Sequence, residues 1–267
     1  MSKRELLTDT DKSDSEWFAD WFASDYYLKL YSHRDHDEAE ECIDLILRAT
    51  GFDRGRWHSD GARSPRALDL ATGPARHAIA LARRGFVVTA VDLSPTLLNH
   101  ARAEAERAGV SITFIESDMR AIEFSGEFDL GVQLFSSFGY FDNDEDDMLV
   151  LRHMHNSLHA GGHYALDLMN ERWLEKNLVK HSERSFEDIE VIEDRWIADG
   201  RVVKRITIPT DAKTMEFTES VRLFAPDVIE KMLRDAGLVP EKWFGDYDGT
   251  PYDSDGSKRM IIISRAV

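Results

Sequence analysis

The sequence has almost no cysteine and no long apolar run. Its 267 residues include one cysteine, Cys42, which has no partner for a disulfide or a thiolate metal site. We expect Cys42 in the core of a cytosolic protein. No stretch approaches the roughly 18 consecutive apolar residues of a membrane span. The start, MSKRELLTDTDKSDSEW, lacks the apolar segment of a signal peptide. We therefore expect a cytoplasmic protein with no membrane partner.

Basic residues are scarce beside acidic ones. The chain has 33 Lys and Arg against 50 Asp and Glu, a formal net charge of -17. Nucleic acids and anionic lipids attract proteins through cationic patches, so this balance argues against both partners. The acidity fits adaptation to high salt as well as ordinary solubility, and composition does not separate the two.

The middle of the chain alternates between strand and helix patterns. With 42% hydrophobic residues, the chain can bury the core of one main domain with elaborations. Apolar runs typical of strands lie at 67–70, 86–91, 112–115, 128–135 and 163–168, and helical patterns lie between most of them, at 75–84, 94–108 and 144–160. This alternation predicts a parallel sheet covered by helices on both faces. Ligands of such sheets bind at the carboxyl ends of the strands.

The two ends of the chain follow other patterns. Residues 17–31, WFADWFASDYYLKLY, are unusually aromatic and indicate either a segment packed on the core or a lid over a cavity. Residues 185–223 alternate polar and apolar residues around an Asp-Gly turn at 199–200, which predicts inserted antiparallel hairpins. A helix at 226–238 and strands around EKWFGDY and RMIIISRAV are expected to close the chain.

The turn after the first predicted strand, ATGPAR, lacks the glycines of a dinucleotide site. That fingerprint is G-x-G-x-x-G, and here only Gly73 is present. Pro74 also removes a backbone N–H that a phosphate would use. A pyrophosphate ligand is therefore disfavoured. S-adenosylmethionine carries no phosphate, and its methionine part presents an ammonium and a carboxylate.

Three acids follow three successive predicted strands: Asp69, Asp92 and Asp118. Asp69 could attract the ammonium directly or through water. Asp92 could accept both ribose hydroxyls, and Asp118 could accept the adenine amino group. Each acid alone has a plainer explanation as a turn or capping residue. All three in register favour an S-adenosylmethionine site.

These segments resemble the class I S-adenosylmethionine-dependent methyltransferases. ALDLATGPARHAIALARRG resembles the first motif of that family and VTAVDLSPTLLNHARAEA the second. SDMRAIEFSGEFDLGVQLFSSFGYF resembles the adenine-binding and fourth-strand motifs, and HAGGHYALDLMN the fifth-strand segment. The match covers roughly residues 64–170. Both ends, WFASDYYLKLYSHRDHDEA and WFGDYDGTPYDSDGSKRMIIISR, resemble a bacterial small-molecule-like subgroup with an antiparallel insertion after the fifth strand.

The resemblance implies an α/β fold: a doubly wound, Rossmann-like, mainly parallel seven-stranded sheet with an antiparallel β insertion and an N-terminal helical lid. The implied division of the chain is 1–63 for the tail and aromatic lid, 64–170 for the cofactor-binding core, 171–223 for the insertion and 224–267 for the rest of the core sheet. The implied cofactor-binding residues are Asp69, Ala71, Thr72, Gly73, Asp92, Leu93, Leu97, Asp118, Met119, Leu134 and Phe135. Leu97 is expected beneath the adenine, and Leu134 and Phe135 near the sulfonium. The family usually has glycine where Ala71 and Ala75 stand, so we expect a slightly stiffer loop.

The acceptor side is less defined. The fourth-strand exit, LFSSFGYF, is not the Asn/Asp-Pro-Pro-Tyr motif that resembling enzymes use for amino groups of bases or amides, and no cysteine is nearby. The candidates are Tyr140 and His33 as catalytic residues, with Tyr27, Tyr31, Arg34, Ser136 and Ser137 on the substrate side. Packing or surface exposure is the simpler explanation for each of them. Four histidines at 153, 155, 159 and 163 lack a suitable carboxylate motif, so we predict no metal site.

The leading hypothesis is an S-adenosylmethionine-dependent methyltransferase that acts on nitrogen or oxygen of a small soluble molecule. One alternative is a non-catalytic protein that binds S-adenosylmethionine or S-adenosylhomocysteine. A second is an NAD-dependent oxidoreductase. The oligomeric state cannot be read from the sequence.

Overall fold

Eleven strands and eight helices form the part of the chain that the structure, a computed structural model, describes: residues 16–31, 36–52, 63–186, 189–210 and 212–267. The strands are β1 (Arg66–Leu70), β2 (Val87–Asp92), β3 (Ile112–Glu116), β4 (Phe128–Gln133), β5 (Leu158–Met169), β6 (His181–Phe186), β7 (Ile189–Ala198), β8 (Arg201–Pro209), β9 (Thr214–Arg222), β10 (Leu238–Phe244) and β11 (Arg259–Ala266). The helices are α1 (Trp17–Ala23), α2 (Asp25–Leu30), α3 (His36–Thr50), α4 (Arg76–Arg83), α5 (Pro95–Arg107), α6 (Asp144–Ser157), α7 (Glu171–Asn177) and α8 (Pro226–Asp235).

The larger sheet has seven strands in the order β10-β11-β5-β4-β1-β2-β3. Strands β1 to β5 pair in parallel, whereas β11 is antiparallel to both β5 and β10. The predicted Rossmann-like, mainly parallel sheet is confirmed. Strand order reverses beside β1, so the chain leaves β1 and β4 toward opposite sides and opens a crevice at their carboxyl ends.

Both faces of this sheet are buried, as parallel pairing requires. Successive residues of β1 point to opposite faces: Ala67 joins the cluster with α3 and α4, and Leu68 joins the cluster with α6 and α8. Cys42 on α3 is fully buried, which confirms its predicted place in the core.

Several predicted element ends are wrong, including the start of β5, expected at residue 163 and found at Leu158, and the end of α8, expected at residue 238 and found at Asp235. The helix expected to reach residue 160 ends at Ser157, and β5 begins at once, because Leu158 already has extended backbone angles. The strand expected to reach residue 135 ends at Gln133. Phe135 and Ser136 then adopt φ of 59° and 61°, which turns the chain away from the sheet.

The smaller sheet is the predicted insertion, with order β6-β7-β8-β9 and antiparallel pairing throughout. It begins at His181, four residues before the predicted hairpins. Asp199 and Gly200 link β7 to β8 with φ of 52° and 70°, as a two-residue Asp-Gly turn requires. Apolar residues of this sheet, such as Ile206 and Ile208, pack against Trp21 and Leu30 of the N-terminal helices. The insertion sheet and helices α1 and α2 therefore pack together as one unit, which we call the cover.

None of the helices in the described ranges is both long enough and apolar enough to cross a membrane.

Candidate functional site

A cavity opens at the carboxyl ends of β1 to β4, where parallel α/β sheets bind their ligands. The core contributes four segments that follow these strands. The cover contributes Phe18 and Phe22 of α1 and Tyr27 of α2. The core residues in the wall are Leu70, Ala71, Thr72, Gly73, Pro74, Arg76, His77, Val91, Asp92, Leu93, Leu97, Ser117, Asp118, Met119, Leu134, Phe135, Ser137, Tyr140 and Phe141.

The loop after β1 explains why the resembling family favours glycine there. Ala71 and Ala75 have φ of 58° and 63°, a region that costs a residue with a Cβ about 1 kcal/mol or more. Gly73, between them, has φ of 55°. A Cβ added at Gly73 would meet no atom within 4 Å, so this side of the loop is open to a ligand.

Asp92 ends β2 and lies in the cavity wall with its residue surface only 7% exposed. Its two carboxylate oxygens accept backbone N–H groups of Gly73 at 2.7 Å and Ser94 at 2.9 Å. Burial raises the pKa of Asp92. A carboxylate has about four lone-pair positions, so Asp92 can still accept a hydrogen bond from a ligand.

Asp69 is buried behind the wall and does not line the cavity. The Thr72 hydroxyl, which does line it, donates to Asp69 Oδ2 at 2.6 Å. Burial raises the pKa of Asp69 to about 7. Of the two predicted routes from Asp69 to a ligand ammonium, this arrangement favours the indirect one, through Thr72 or water.

Asp118 lies in the wall after β3, and Arg120 occupies much of its hydrogen-bonding capacity. The Arg120 guanidinium donates to both carboxylate oxygens at 2.6 and 3.1 Å, and its backbone N–H donates at 2.7 Å. Although burial opposes the effect, these bonds hold the pKa of Asp118 below its usual value. Arg120 also donates to Glu16, just before α1, at 2.7 and 2.9 Å. Arg120 therefore links Glu16, at the start of the cover, to Asp118, the residue predicted to accept the adenine amino group.

The aromatic segment, residues 17–31, both packs on the core and lines the cavity. The Tyr140 ring lies 5.0 Å from Trp17, 5.9 Å from Phe18 and 5.8 Å from Phe22, measured between ring centroids. Phe18 is buried, yet it and Phe22 line the cavity. The two interpretations of residues 17–31, core packing and a lid, are therefore compatible.

The other acceptor-side candidates are dispersed. Ser137 lines the cavity, but Ser136 does not, and its hydroxyl accepts from Arg259 at 3.3 Å. Tyr31 lies outside the cavity, in a second concavity. His33 and Arg34 lie outside the described residues.

A buried ion pair shapes the exit of β4. Arg259 of β11 donates to the two carboxylate oxygens of Asp167 on β5 at 2.6 and 2.7 Å. The same carboxylate accepts the Tyr247 hydroxyl at 2.8 Å and the Phe135 N–H at 2.9 Å. The Phe135 ring also lies against the Arg259 guanidinium at 5.1 Å. This network holds Phe135 in its left-handed conformation at the cavity edge.

The second concavity begins at Phe135, which lines both spaces. Its walls are α7 with the segment after it, and the insertion sheet. The lining residues are Tyr31, Glu38, Phe135, Trp173, Leu174, Asn177, Leu178, Val179, Ser182, Arg184, Glu193, Arg195 and Lys204.

Sequence reasoning did not single out several of these residues. Phe18 and Phe22 lie one helical turn apart within the aromatic segment, which was a usable signal. Arg76 directly follows the loop after β1, and this position was a second usable signal. The Arg120–Glu16 contact and the Asp167–Arg259 pair gave no local signal, because each joins distant parts of the chain. Within the described residues, no three His, Cys, Asp or Glu side chains are grouped as a metal site requires.

Comparison with known proteins identifies the family. The family described as Methyltransferase domain matches residues 67–162. YqeM of Bacillus subtilis, a protein named as a methyltransferase, is 31% identical over 258 residues, which cover 90% of this chain and 94% of YqeM. The glycine/sarcosine N-methyltransferase of Parasynechococcus marenigrum is 31% identical over 158 residues, 57% of this chain and 55% of that protein.

A solved S-adenosylmethionine-dependent methyltransferase from Clostridium acetobutylicum has the same fold, with a TM-score of 0.72 and 17% identity over 90% of this chain and 96% of that one. Fold, cavity position and sequence similarity along nearly the whole chain agree. The chain belongs to the class I S-adenosylmethionine-dependent methyltransferases, the enzyme family whose methyl donor is S-adenosylmethionine.

Proposed function

We propose that this enzyme transfers the methyl group of S-adenosylmethionine to a nitrogen or oxygen atom of a small soluble molecule. The observation that carries the proposal is the junction at Phe135. Phe135 lines both the first cavity, whose wall contains Asp92 and Asp118, and the second, open concavity. Such a pair of spaces suits a donor held on one side and an acceptor that enters from the other.

The donor fits the first cavity by its chemistry. We assign a ribose hydroxyl to the remaining hydrogen-bonding capacity of Asp92. The methionine end lies against the open loop at Ala71, Thr72 and Gly73, with Asp69 behind it. Leu93, Leu97 and Met119 supply apolar surface for the adenine, and Asp118 lies at its polar edge. Leu134 and Phe135 lie at the sulfonium end.

When bound, the donor supplies a methyl group on a positively charged sulfur; the carbon–sulfur bond breaks as an acceptor lone pair bonds to the carbon, leaving S-adenosylhomocysteine. The aromatic rings of the cover exclude water and favour a cation beside their faces. Holding the two reactants in line contributes most of the rate, since effective molarities of well-oriented groups are large.

An amine acceptor needs only its free lone pair, whereas a hydroxyl acceptor needs a base. We propose that the Tyr140 hydroxyl contacts the acceptor, and that His33, outside the described residues, is the candidate base. The name of the Parasynechococcus relative gives an amine acceptor, which favours nitrogen for this chain.

The test uses S-adenosylmethionine labelled in its methyl group. The enzyme is incubated with it and with the small-molecule fraction of a cell extract, and labelled products are separated and identified by mass spectrometry. We expect label on nitrogen or oxygen of a small molecule, and its loss in Asp92→Ala. Asp235→Ala, a change at an exposed residue of α8, is the matched control and keeps activity. A parallel incubation uses the whole extract. Label found there only on protein or nucleic acid contradicts the proposed acceptor class.

A further inference from the structure

The inner face of the insertion sheet has two different halves. Side chains alternate along a strand, so those that share a face recur every second residue. One half is apolar, with Val191, Ile206 and Ile208 packed on the N-terminal helices. The other half carries charged residues, which line the second concavity or lie beside it: Arg184, Glu193, Arg195, Lys204 and Glu219.

Among these charged residues, Glu193 is the most deeply buried. Glu193 is 1% exposed and lies 2.7 Å from Arg195, 3.0 Å from Arg184 and 3.8 Å from Lys204. Although burial opposes it, these three cations hold the pKa of Glu193 below its usual value, so this acid stays charged. Lys204 also pairs with Glu219 at 2.6 Å. Three cations thus share two carboxylates.

The cations form the surface that a ligand would meet. The side chains of Arg184 and Arg195 are 31% and 21% exposed, whereas Glu193 is covered by them. Lys204 is 13% exposed and lies over the Tyr31 ring at 4.8 Å. One acid, Glu38, also lines this space. In a chain with a net charge of -17, this concavity is a place where three cations line one space with two acids, Glu38 and Glu193.

Apolar side chains line the same space. They are Trp173 and Leu174 of α7 and Leu178 and Val179, with Val179 63% exposed, and the polar Asn177 lies among them. A molecule in this space meets both apolar side chains and guanidinium groups. Arginine donors fit carboxylates and phosphates well, because two N–H groups can donate in parallel.

We propose that the methyl acceptor carries an anionic group, a carboxylate or a phosphate ester, on an apolar body, and that Arg184, Arg195 and Lys204 bind this group so that the nucleophilic atom lies at Phe135. The inference rests on the proposed function and specifies its acceptor. The three cations are binding and positioning residues, with no part in bond making.

The test works with an acceptor of any identity, because it follows the charge of the labelled product. The labelled product of the extract assay is passed over an anion exchanger in alkaline buffer, where amines are largely neutral and acids are charged. We expect the product to be retained. Treatment with alkaline phosphatase then separates the two sources of charge: retention is lost for a phosphate ester and kept for a carboxylate. A labelled product in the flow-through overturns the inference and leaves the methyltransferase proposal intact.

Variants test the assigned residues. In Arg184→Gln and Lys204→Gln, we expect turnover at limiting acceptor to fall about tenfold or more, as expected for loss of a charge-assisted hydrogen bond. The affinity of both variants for S-adenosylhomocysteine should stay within about twofold of the wild-type value. This control establishes that the fold is intact. Arg205→Gln is the matched control, since Arg205 lies on the same strand as Lys204, is 51% exposed and pairs with Asp194. Equal loss of turnover in all three variants overturns the assignment. If no labelled product forms with wild-type enzyme, the proposed function fails and this inference falls with it.

Discussion

Ionisation of Asp69 should make cofactor binding depend on pH. Burial raises the pKa of this carboxyl to about 7, so the ligand-free protein holds it largely protonated in mildly acidic solution. A ligand ammonium near Thr72 favours the ionised form. Binding of S-adenosylhomocysteine, which keeps the ammonium, should therefore release a proton below about pH 7 and become tighter as pH rises.

The size of the effect follows from the pKa. At about pH 5, two units below the pKa, ionising the carboxyl costs about 2.7 kcal/mol, so affinity should be about 100-fold weaker than at about pH 8. Asp92 also has a raised pKa and contributes in the same direction. Asp69→Asn separates the contribution of Asp69 from that of Asp92, because an amide cannot ionise but can still accept a hydrogen bond from the Thr72 hydroxyl.

The assay is calorimetric titration with S-adenosylhomocysteine between about pH 5 and about pH 8, in buffers that differ in ionisation enthalpy. We expect close to one proton released per ligand bound at about pH 6 in the wild type, and a much smaller release in Asp69→Asn. Equal affinity across this range, or the same proton release in both proteins, would refute the assignment of Asp69 to the ligand ammonium.

The ligand-free protein gives an independent check. The folded-state pKa of Asp69 lies above its unfolded value, so its contribution to stability is present below about pH 4 and is lost as pH rises to about 7. The wild type should therefore lose up to about 4 kcal/mol of unfolding free energy relative to Asp69→Asn over this range. Denaturant titrations at several pH values measure the difference, and parallel curves would contradict it.

Two further substitutions test the core and the acceptor side. Arg259→Met leaves Asp167 buried without its partner and should lower the unfolding free energy by about 3 to 5 kcal/mol in denaturant titrations. Arg265→Met removes a 47% exposed arginine of the same strand and should cost at most about 1 kcal/mol; equal losses would contradict a special role for the buried pair. Tyr140→Phe keeps the ring contacts, so donor affinity should hold while turnover falls about tenfold or more. Unchanged turnover, measured as S-adenosylhomocysteine formation, would show that the hydroxyl does not contact the reacting groups.

Much of the fold could be predicted because local patterns determine it. Apolar runs and helical spacing gave the five parallel strands, and the Asp199–Gly200 pair gave the hairpin of the insertion. The error at residue 135 lies where a distant contact overrides local preference. The chain turns at Phe135 because a carboxylate from β5 accepts its N–H, and nothing near residue 135 in the sequence indicates this contact.

The candidate site was predictable in part for the same reason. Acids that follow parallel strands must lie at one edge of the sheet, and Asp92 and Asp118 do line the cavity. Side-chain depth is set by packing, so the sequence did not show that Asp69 lies behind Thr72. The Arg120–Glu16 contact and the charged half of the insertion sheet depend on contacts between segments, which periodicity does not reveal.

The most direct test of the account is calorimetric titration of wild type and Asp92→Ala with S-adenosylhomocysteine and with NAD. We expect micromolar binding of S-adenosylhomocysteine to the wild type, no binding of NAD, and a loss of about 1 to 3 kcal/mol in the variant because a charge-assisted acceptor is removed. The absence of S-adenosylhomocysteine binding, or equal affinity in both proteins, would contradict the placement of the donor at the carboxyl ends of β1 and β2.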